Sequence, residues 1–324
     1  MKENKKDPRS IALTAVISLP IIWGTTFSVV QRSLLDISPV AFALIRFGFS
    51  SLVFIVFSDS ARRAMRLLVL PKTPAERRFR RDMLVLGATL GLGYILQNIG
   101  LMTTTTSKSA FLTSTTVIWT PMLAILMGRE RLHANVAVAV IITVAGILLM
   151  THPFGASGVV IGDVLSTACA MSFGLFIIWI DRSMLDTLEI ARDEHDASMM
   201  VTSSMLVTSS LFFLLCLPIE TPRVHFTTFA IEALLYTGLV STVLTAYLQT
   251  RYQNHVSPTV AAIIYMLEPV VAMAVAAIFL TEHMGVPEMI GGVLIIVGVI
   301  VAQIKFSSKA EAEHPAPHTP SILP

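Results

Sequence analysis

The 324-residue sequence is poor in charge and in cysteine. Only 14% of its residues are Asp, Glu, Lys or Arg, whereas a soluble domain carries about 25% charged residues. Its two cysteines, Cys169 and Cys216, both fall within predicted membrane helices and lack the spacing of a metal or redox site. We interpret them as small apolar packing residues. The low charge leaves little sequence for a soluble catalytic domain.

The sequence also lacks the signatures of nucleotide-driven or catalytic chemistry. It contains no G-x-x-x-x-G-K-[ST] motif, so nothing predicts an ATP-driven pump. The eight histidines are scattered over predicted loops and the tail, and no His, Asp and Ser share one depth as a catalytic triad would. We therefore predict no cofactor, no metal ion, no nucleotide and no nucleic acid as partners, and no enzyme activity.

Long apolar runs dominate what is present, and hydrophobic residues make up 54% of the chain. A helix that crosses the hydrocarbon layer needs about 20 apolar residues. The sequence predicts an all-α polytopic membrane protein in a lipid bilayer. The predicted spans cover residues 11–31, 39–57, 83–102, 109–127, 134–151, 158–180, 199–218, 229–249, 258–279 and 286–304.

The distribution of Lys and Arg predicts the orientation of these ten spans. If the N-terminus is cytoplasmic, the segments on its side contain 19 of the 23 basic residues and the other side only three, with Arg46 inside a span. Cytoplasmic loops carry the excess of Lys and Arg. We therefore expect a multi-pass protein of the inner (plasma) membrane with both termini cytoplasmic, and we interpret the basic stretch 58–82 as a loop that fixes the topology.

The sequence contains an internal repeat about 150 residues apart. Five spans per copy force the second copy to insert upside down, which is the architecture of secondary transporters. We predict a five-helix repeat at 10–151, a second at 158–305, and a disordered cytoplasmic tail at 306–324. Identical residues in one register are Gly24/Gly174, Arg32/Arg182, Ser33/Ser183, Leu35/Leu185 and Asp36/Asp186, and Pro121 and Glu130 recur as Pro269 and Glu282.

Pro121 and Pro269 are the most informative pair, because each lies near the middle of its predicted span. Proline removes a backbone donor and frees a carbonyl four residues earlier. Paired interruptions at corresponding positions point to a transporter binding site, although a kink that serves packing is the alternative. Glu268 precedes Pro269, and a carboxylate at the bilayer centre costs at least about 2.5 kcal/mol. It is a candidate for substrate or proton binding, or for a structural cap.

Other polar and aromatic residues at similar depth complete the candidate substrate site. Arg46 either extends toward the interface, binds an anion or joins an ion pair, for which Glu232 is one candidate partner. Thr116 and Thr120 share a helical face with Ser109 and either line a wet cavity or bond to their own helix. The candidate lining residues are Trp23, Phe27, Arg46, Tyr94, Gln97, Thr116, Trp119, Thr120, Tyr265 and Glu268.

Several short motifs in this order resemble the EamA-type transporters of the drug/metabolite transporter superfamily. They are I-W-G-T-T-F at 22–27, I-S-P at 37–39 followed by Arg46-Phe47, the segment 121–130 with Gly146, and L-E-P at 267–269 with Glu282 and the glycines at 291–298. The resemblance covers residues 10–305. It implies two inverted five-helix repeats around a central cavity, and transport of amino acids, other small metabolites or drugs, often as export.

The leading hypothesis is a secondary transporter that exports a small amino acid-like or amphipathic metabolite by alternating access, coupled to protons or to exchange. A homodimer is left open. The alternative is a polytopic membrane enzyme that acts on lipid-linked substrates, for which the acidic segment 186–196 is the candidate head-group loop. A passive channel is a third hypothesis.

Overall fold

The structure is a computed structural model, and it describes residues 8–104, 109, 112–129, 133–151, 160–271, 274 and 285–303. The predicted join between the halves at 152–157, Glu130, Glu282 and the predicted tail lie outside these residues. The described part is all-helical, and its one isolated β-bridge joins Ile37 to Val224.

The main helices follow the order of the predicted spans. A π-helical turn, Leu239–Leu244, separates α9 from α10. The helices are α1 (Pro8–Ser33), α2 (Pro39–Phe57), α3 (Asp59–Val69), α4 (Pro74–Gly100), α5 (Thr116–Leu126), α6 (Ala134–Thr151), α7 (Ile161–Leu188), α8 (Glu194–Cys216), α9 (Thr228–Gly238), α10 (Thr245–Tyr252), α11 (Pro258–Tyr265) and α12 (Val286–Gln303).

Six of the helical segments are long and apolar enough to cross a membrane. They are Ile11–Ser33, Pro39–Phe57, Pro74–Gly100, Ile161–Leu188, Glu194–Ile219 and Thr228–His255. Four shorter apolar helices coincide with the remaining predicted spans, namely Leu112–Leu126, Ala134–Leu149, Pro258–Val271 and Met289–Ala302. The all-α membrane fold is therefore confirmed in outline.

The stretch 58–82 is not the loop that the sequence predicts. The Ser58 hydroxyl accepts from the amide of Ala61 at 3.2 Å and starts the short helix α3. Thr73 and Glu76 then form a reciprocal capping box, with Pro74 in the first turn, and start α4 nine residues before the predicted span. The charged residues thus lie on helices, because local caps act regardless of hydropathy.

Contacts between loops define the two ends of the bundle. At one end, Ser38 donates its amide to the Arg223 carbonyl at 2.8 Å, and the Thr104 hydroxyl donates to Asp163 at 2.6 Å. At the other end, Arg63 pairs with Asp196 at 3.0 Å. We call the end with α3 and the loops 70–73, 189–193 and 253–257 the basic face, and the end with loops 34–38, 101–104 and 217–227 the opposite face.

The packing of the helices creates a shared interior between the two halves of the chain. α2 and α4 pack against α8, α4 also packs against α7, and α6 lies along α12. α5 contacts both α7 and α11, and α1 contacts α10 and α11. The glycines permit the closest approaches, since a Cβ on Gly146 of α6 would lie 2.7 Å from the carbonyl oxygen of Gly291. Helices α1, α2, α4, α5, α7, α10 and α11 thereby surround the candidate residues.

Candidate functional site

The helices that contain Pro121 and Pro269 are each interrupted by a turn. The helix Pro258–Val271 breaks at Met266, three residues before Pro269, which is where the proline ring disrupts the backbone of an α-helix. The helix Leu112–Leu126 breaks at Thr115, while α5 continues through Pro121. Corresponding helices are thus both interrupted. The break at Thr115 lies farther before Pro121 than the break at Met266 lies before Pro269, so the two halves are not strictly symmetric here.

Glu268 lies just beyond the break in the second of these helices. Its side chain is half-buried, and it makes no hydrogen bond or ion pair with any described residue. It lies within electrostatic range of the Tyr94 hydroxyl and the Cys169 thiol. A carboxyl group at this depth that has no partner among the described residues can bind a proton or a cationic group.

Tyr94 is the centre of an aromatic cluster next to Glu268. Its ring lies 5.1 Å from that of Phe47 and 5.5 Å from that of Phe173, both in edge-on geometry. The Arg46 guanidinium lies 5.2 Å from the Tyr94 ring centroid, within the range of a cation–π interaction. Tyr94 therefore stands between a buried cation and a carboxyl group.

Arg46 is buried and held by hydroxyl and carbonyl groups. Its Nε donates to the Thr242 hydroxyl at 2.7 Å, and its Nη2 donates to the carbonyl and hydroxyl oxygens of Ser241 at 3.2 and 3.1 Å. Only 4% of Arg46 is exposed, so it does not extend to the interface. Glu232, the candidate partner, is exposed on α9, and Arg46 bonds to Thr242 and Ser241 instead. Arg46 has no acidic partner among the described residues.

Trp23 and Tyr265 form the side of the site toward α10 and α11. The Trp23 indole donates to the Thr245 hydroxyl at 3.2 Å, and its ring lies 5.1 Å from that of Tyr265 in edge-on geometry. The Tyr265 hydroxyl donates to Gln253 at 2.9 Å. Trp23, Arg46, Tyr94, Tyr265 and Glu268 thus face a common interior from five different helical segments.

The threonines of α5 are used differently. The Thr116 hydroxyl contacts the Thr113 carbonyl, just before the break, at 2.7 Å and the Ala170 carbonyl at 3.2 Å, so it ties α5 to α7. The Thr120 side chain is fully buried against Gly174, and its hydroxyl lacks a partner among the described residues. Ser109 bonds to Ser166 at 2.9 Å. For Thr116 and Ser109, bonding within the helix bundle is therefore the observed role.

The remaining candidates are less constrained. Gln97 and Trp119 are half-buried, and neither side chain forms a hydrogen bond with a described residue. For Phe27 only the backbone position in α1 is described. These three residues stay candidates by their depth in the bundle.

Sequence reasoning missed the groups that hold Arg46 and Tyr265 in place. Ser241 and Thr242 belong to the π-helical turn, and Gln253 to the 3-10 turn Gln253–His255. One signal was available for the second group: Gln249, at the end of a predicted span, and Gln253 are four residues apart and so would share one face of a helix that continues past the span. No sequence pattern identifies the π-helical turn.

The profile of the EamA-like transporter family matches the chain twice, over residues 10–152 and 160–303. The chain belongs to the EamA-like transporter family. The resemblance stated above is confirmed, and with it the multi-pass membrane transporter and its place in the drug/metabolite transporter superfamily.

Relatives and solved structures agree with this assignment. An uncharacterized transporter of Archaeoglobus fulgidus is 28% identical over 290 residues, which cover 88% of this chain and 83% of that protein. The uncharacterized transporter YoaV of Bacillus subtilis is 20% identical over 304 residues, 92% of this chain and 98% of YoaV. A crystal structure aligns with a TM-score of 0.72 at 14% identity, over 91% of this chain and 96% of the other, which shows a shared fold.

The acidic segment 186–196 of this EamA-like transporter holds the basic face together. All five of its carboxylates bond to an arginine or cap a helix, so they do not converge on a head-group site. In the described ranges, no three His, Cys, Asp or Glu side chains are grouped as metal ligands. The bonds are Asp186–Arg182, Glu189–Arg78, Asp193 to the amide of Asp196, Glu194–Arg251 and Asp196–Arg63.

Proposed function

We propose that this chain is a secondary active transporter that exports a small amino acid-like or amphipathic metabolite by alternating access, driven by a proton gradient or by exchange. The carboxyl group of Glu268, which lies beside a helix break in the interior and has no partner among the described residues, carries the proposal. Neither a purely structural carboxyl nor a cap would be expected to lack hydrogen bonds to the described residues around it.

The proposed architecture is ten spans arranged as two inverted repeats, 10–151 and 158–305. The helix contacts support it, because they pair counterparts. The second spans of the two halves pack against each other as α2 and α8. The fourth spans do so as α5 and α11, and the fifth as α6 and α12. The contact of α4 with α7 has its counterpart in that of α10 with α1. Such pairing is expected of a twofold axis in the membrane plane.

Arg46 and Glu268, neither of which has an ionic partner among the described residues, favour a substrate that carries both a negative and a positive group. Arg46 can receive a carboxylate through its guanidinium, and Glu268 can receive an ammonium group. The two side chains form no ion pair with each other and both approach Tyr94, which leaves the aromatic cluster to contact an apolar side chain. This arrangement suits an amino acid-like molecule better than a purely cationic drug.

We place the protein in the inner (plasma) membrane with the basic face toward the cytoplasm. The support is the excess of Lys and Arg at that face, to which Arg62, Arg63, Arg78 and Arg81 contribute from α3 and the start of α4. Both chain ends then belong to the cytoplasmic side. The partners are the lipid bilayer and the small-molecule substrate, and a homodimer remains open.

Reconstitution into liposomes tests the proposal. Amino acids and amphipathic amines are screened by ligand-induced shifts of the melting temperature, and those that bind are used for uptake with and without a proton gradient. We expect saturable, counterflow-stimulated flux in the wild type. Glu268→Gln should lose proton-driven flux while it still inserts and melts near the wild-type temperature.

The matched control is Glu232→Gln, an exposed carboxylate on α9 that has no role in the site. It should transport like the wild type. Normal proton-driven transport by Glu268→Gln would reject Glu268 as the coupling group. Flux that neither saturates nor shows counterflow would reject a carrier in favour of a channel.

A further inference from the structure

A buried network of amide groups lies beside the proposed site. The Gln253 side chain is fully buried, and those of Gln249 and Tyr265 are 4% and 5% exposed. These residues, together with Ile177 and Asp181 of α7, form what we call the Gln253 lock. It joins α7 to the 3-10 turn that follows α10 and to α11.

Every polar position of the Gln253 amide is used. Its Nε2 donates to the Ile177 carbonyl at 2.8 Å and to the Asp181 carboxylate at 3.0 Å. Its Oε1 accepts from Gln249 Nε2 at 3.0 Å and from the Tyr265 hydroxyl at 2.9 Å. Donors surround one end of the amide and acceptors the other, so the orientation of Gln253 is fixed and the Tyr265 ring is fixed with it.

The lock lies between Glu268 and the basic face. α11 begins at that face with Pro258, so Tyr265 precedes Glu268 by three residues, about 4.5 Å along the axis. Gln253 is the first residue of loop 253–257, which lies at the basic face. Ile177 and Asp181 lie in the half of α7 that runs toward the same face. Tyr265, packed on Trp23, therefore covers the site on this side.

The corresponding position in the first half has no such group. With the spacing that relates Pro121 to Pro269, the counterpart of Tyr265 is Val117, which is buried in α5 and carries no hydrogen-bonding side chain. Among the described residues, the polar network that anchors Tyr265 on the side toward the basic face therefore has no equivalent at Val117.

We propose that Gln253 is a positioning residue that acts through Tyr265 to keep the central site closed toward the basic face. The proposal rests on the alternating access proposed above. Each transport cycle must break these bonds to expose the site on that side, and the lock biases the resting protein toward the conformation that opens at the opposite face.

The native thiol Cys169 reports on this closure. It is fully buried in α7 within electrostatic range of Glu268, and it precedes Ile177 by eight residues, about 12 Å farther from the basic face. In a Cys216→Ser background it is the chain's only cysteine. Its reaction with a membrane-impermeant methanethiosulfonate, applied to one side of oriented vesicles at a time, measures opening toward each face.

The variant Tyr265→Phe keeps the ring against Trp23 but loses the bond to Gln253. We expect its Cys169 to react about tenfold faster than that of the parent when the reagent is applied at the basic face. Tenfold corresponds to about 1.4 kcal/mol, the upper end of the net contribution of one hydrogen bond. Gln253→Met should label at least as fast, and the double variant no faster than Gln253→Met alone. Labelling from the opposite face should fall in each, because the population shifts away from that conformation.

Thr250→Val is the matched control. Thr250 lies in α10, as Gln249 does, but its buried hydroxyl bonds to that of Thr202 in α8 and not to a residue of the lock. The substitution should leave the labelling rates from both faces unchanged. Equal acceleration from both faces, acceleration in Thr250→Val, or unchanged labelling in Tyr265→Phe would each overturn the proposal. The labelling needs no substrate, so a wild type without flux would reject the transport proposal and leave this result readable.

Discussion

Nε of Arg46 lies 2.7 Å from Oγ1 of Thr242, and that hydroxyl donates in turn to the carbonyl of Thr237, five residues earlier, at 2.8 Å. The spacing of five is that of the π-helical turn Leu239–Leu244. The wider turn places Ser241 and Thr242 side by side against α2. A buried guanidinium is thereby held without an acidic partner among the described residues, which leaves its charge available to a ligand.

Thr242→Val should lower the free energy of unfolding by about 1 kcal/mol, because the substitution leaves a buried charged donor with one acceptor fewer. It should also weaken binding of carboxylate-bearing ligands, since Arg46 loses its fixed orientation. Melting of the purified protein with and without ligand measures both effects.

Thr187→Val is the control for the loss of a hydroxyl. Thr187 is equally buried, but it donates only to the Ser183 carbonyl of its own helix, which remains bonded in the helical backbone. Its melting temperature should stay near that of the wild type. An equal loss in the two variants would contradict the special role of the π-helical turn.

The sequence predicts the outline of this fold well because the hydrocarbon layer imposes a length on each apolar run. The same argument fails for α3, whose boundaries depend on Ser58 and on the break before Thr73. It also fails for the start of α4, where a capping box extends the helix into charged sequence. Such local hydrogen bonds do not alter the hydropathy of a span.

The candidate site is only partly readable from sequence. Depth in the predicted spans singles out Trp23, Tyr94 and Tyr265 as candidates, and the ring contacts place Trp23 against Tyr265 and Tyr94 against Phe47 and Phe173. The partners of Arg46 lie 195 residues away on a π-helical turn, and one acceptor of Gln253 lies 76 residues away. No pattern of a single helix encodes such contacts, since they depend on how two halves pack.

The packing of α4 on α8 predicts a strong effect at Gly87. A Cβ there would lie 2.7 Å from the backbone carbonyl carbon of Thr208, so Gly87→Ala forces the helices apart. We expect a loss of about 1–3 kcal/mol, typical of overpacking. Thermal unfolding in one detergent measures it.

Gly48→Ala is its counterpart on α2, where an added methyl group meets nothing within 4 Å. It should be neutral or stabilise by up to about 1 kcal/mol, because alanine has the higher helix propensity. Similar losses at Gly48 and Gly87 would show that helix contact is not the cause.

Glu220 connects the two halves at the opposite face. Its carboxylate accepts from the Ser38 hydroxyl at 2.6 Å and from the amides of Val40 and Ala41 at 3.1 and 2.9 Å, so it caps the N-terminus of α2. Glu220→Ala should cost about 1–2 kcal/mol, as the loss of a helix cap does. Exchange of the amide hydrogens of the first turn of α2 should accelerate with it.

Glu232→Ala is the matched control, because it removes a carboxylate that is nearby in sequence but exposed on α9. It should change neither melting nor exchange. Faster exchange in α2 of this variant would mean that general charge, and not the cap, stabilises the helix end.

The ion pairs of the basic face should differ in energetic weight according to burial. The Asp196 side chain is 5% exposed and accepts from Arg63 at 3.0 Å and from the amide of Arg192 at 2.9 Å. Glu189 and its partner Arg78 are 53% and 41% exposed. Asp196→Asn should therefore cost about 2 kcal/mol and release α3, while Glu189→Gln should cost less than about 1 kcal/mol and vanish in high salt. Limited proteolysis at 58–73 and melting curves at two salt concentrations distinguish the two variants. Cleavage should rise only in Asp196→Asn. Equal cleavage in both variants would mean that apolar packing alone holds α3.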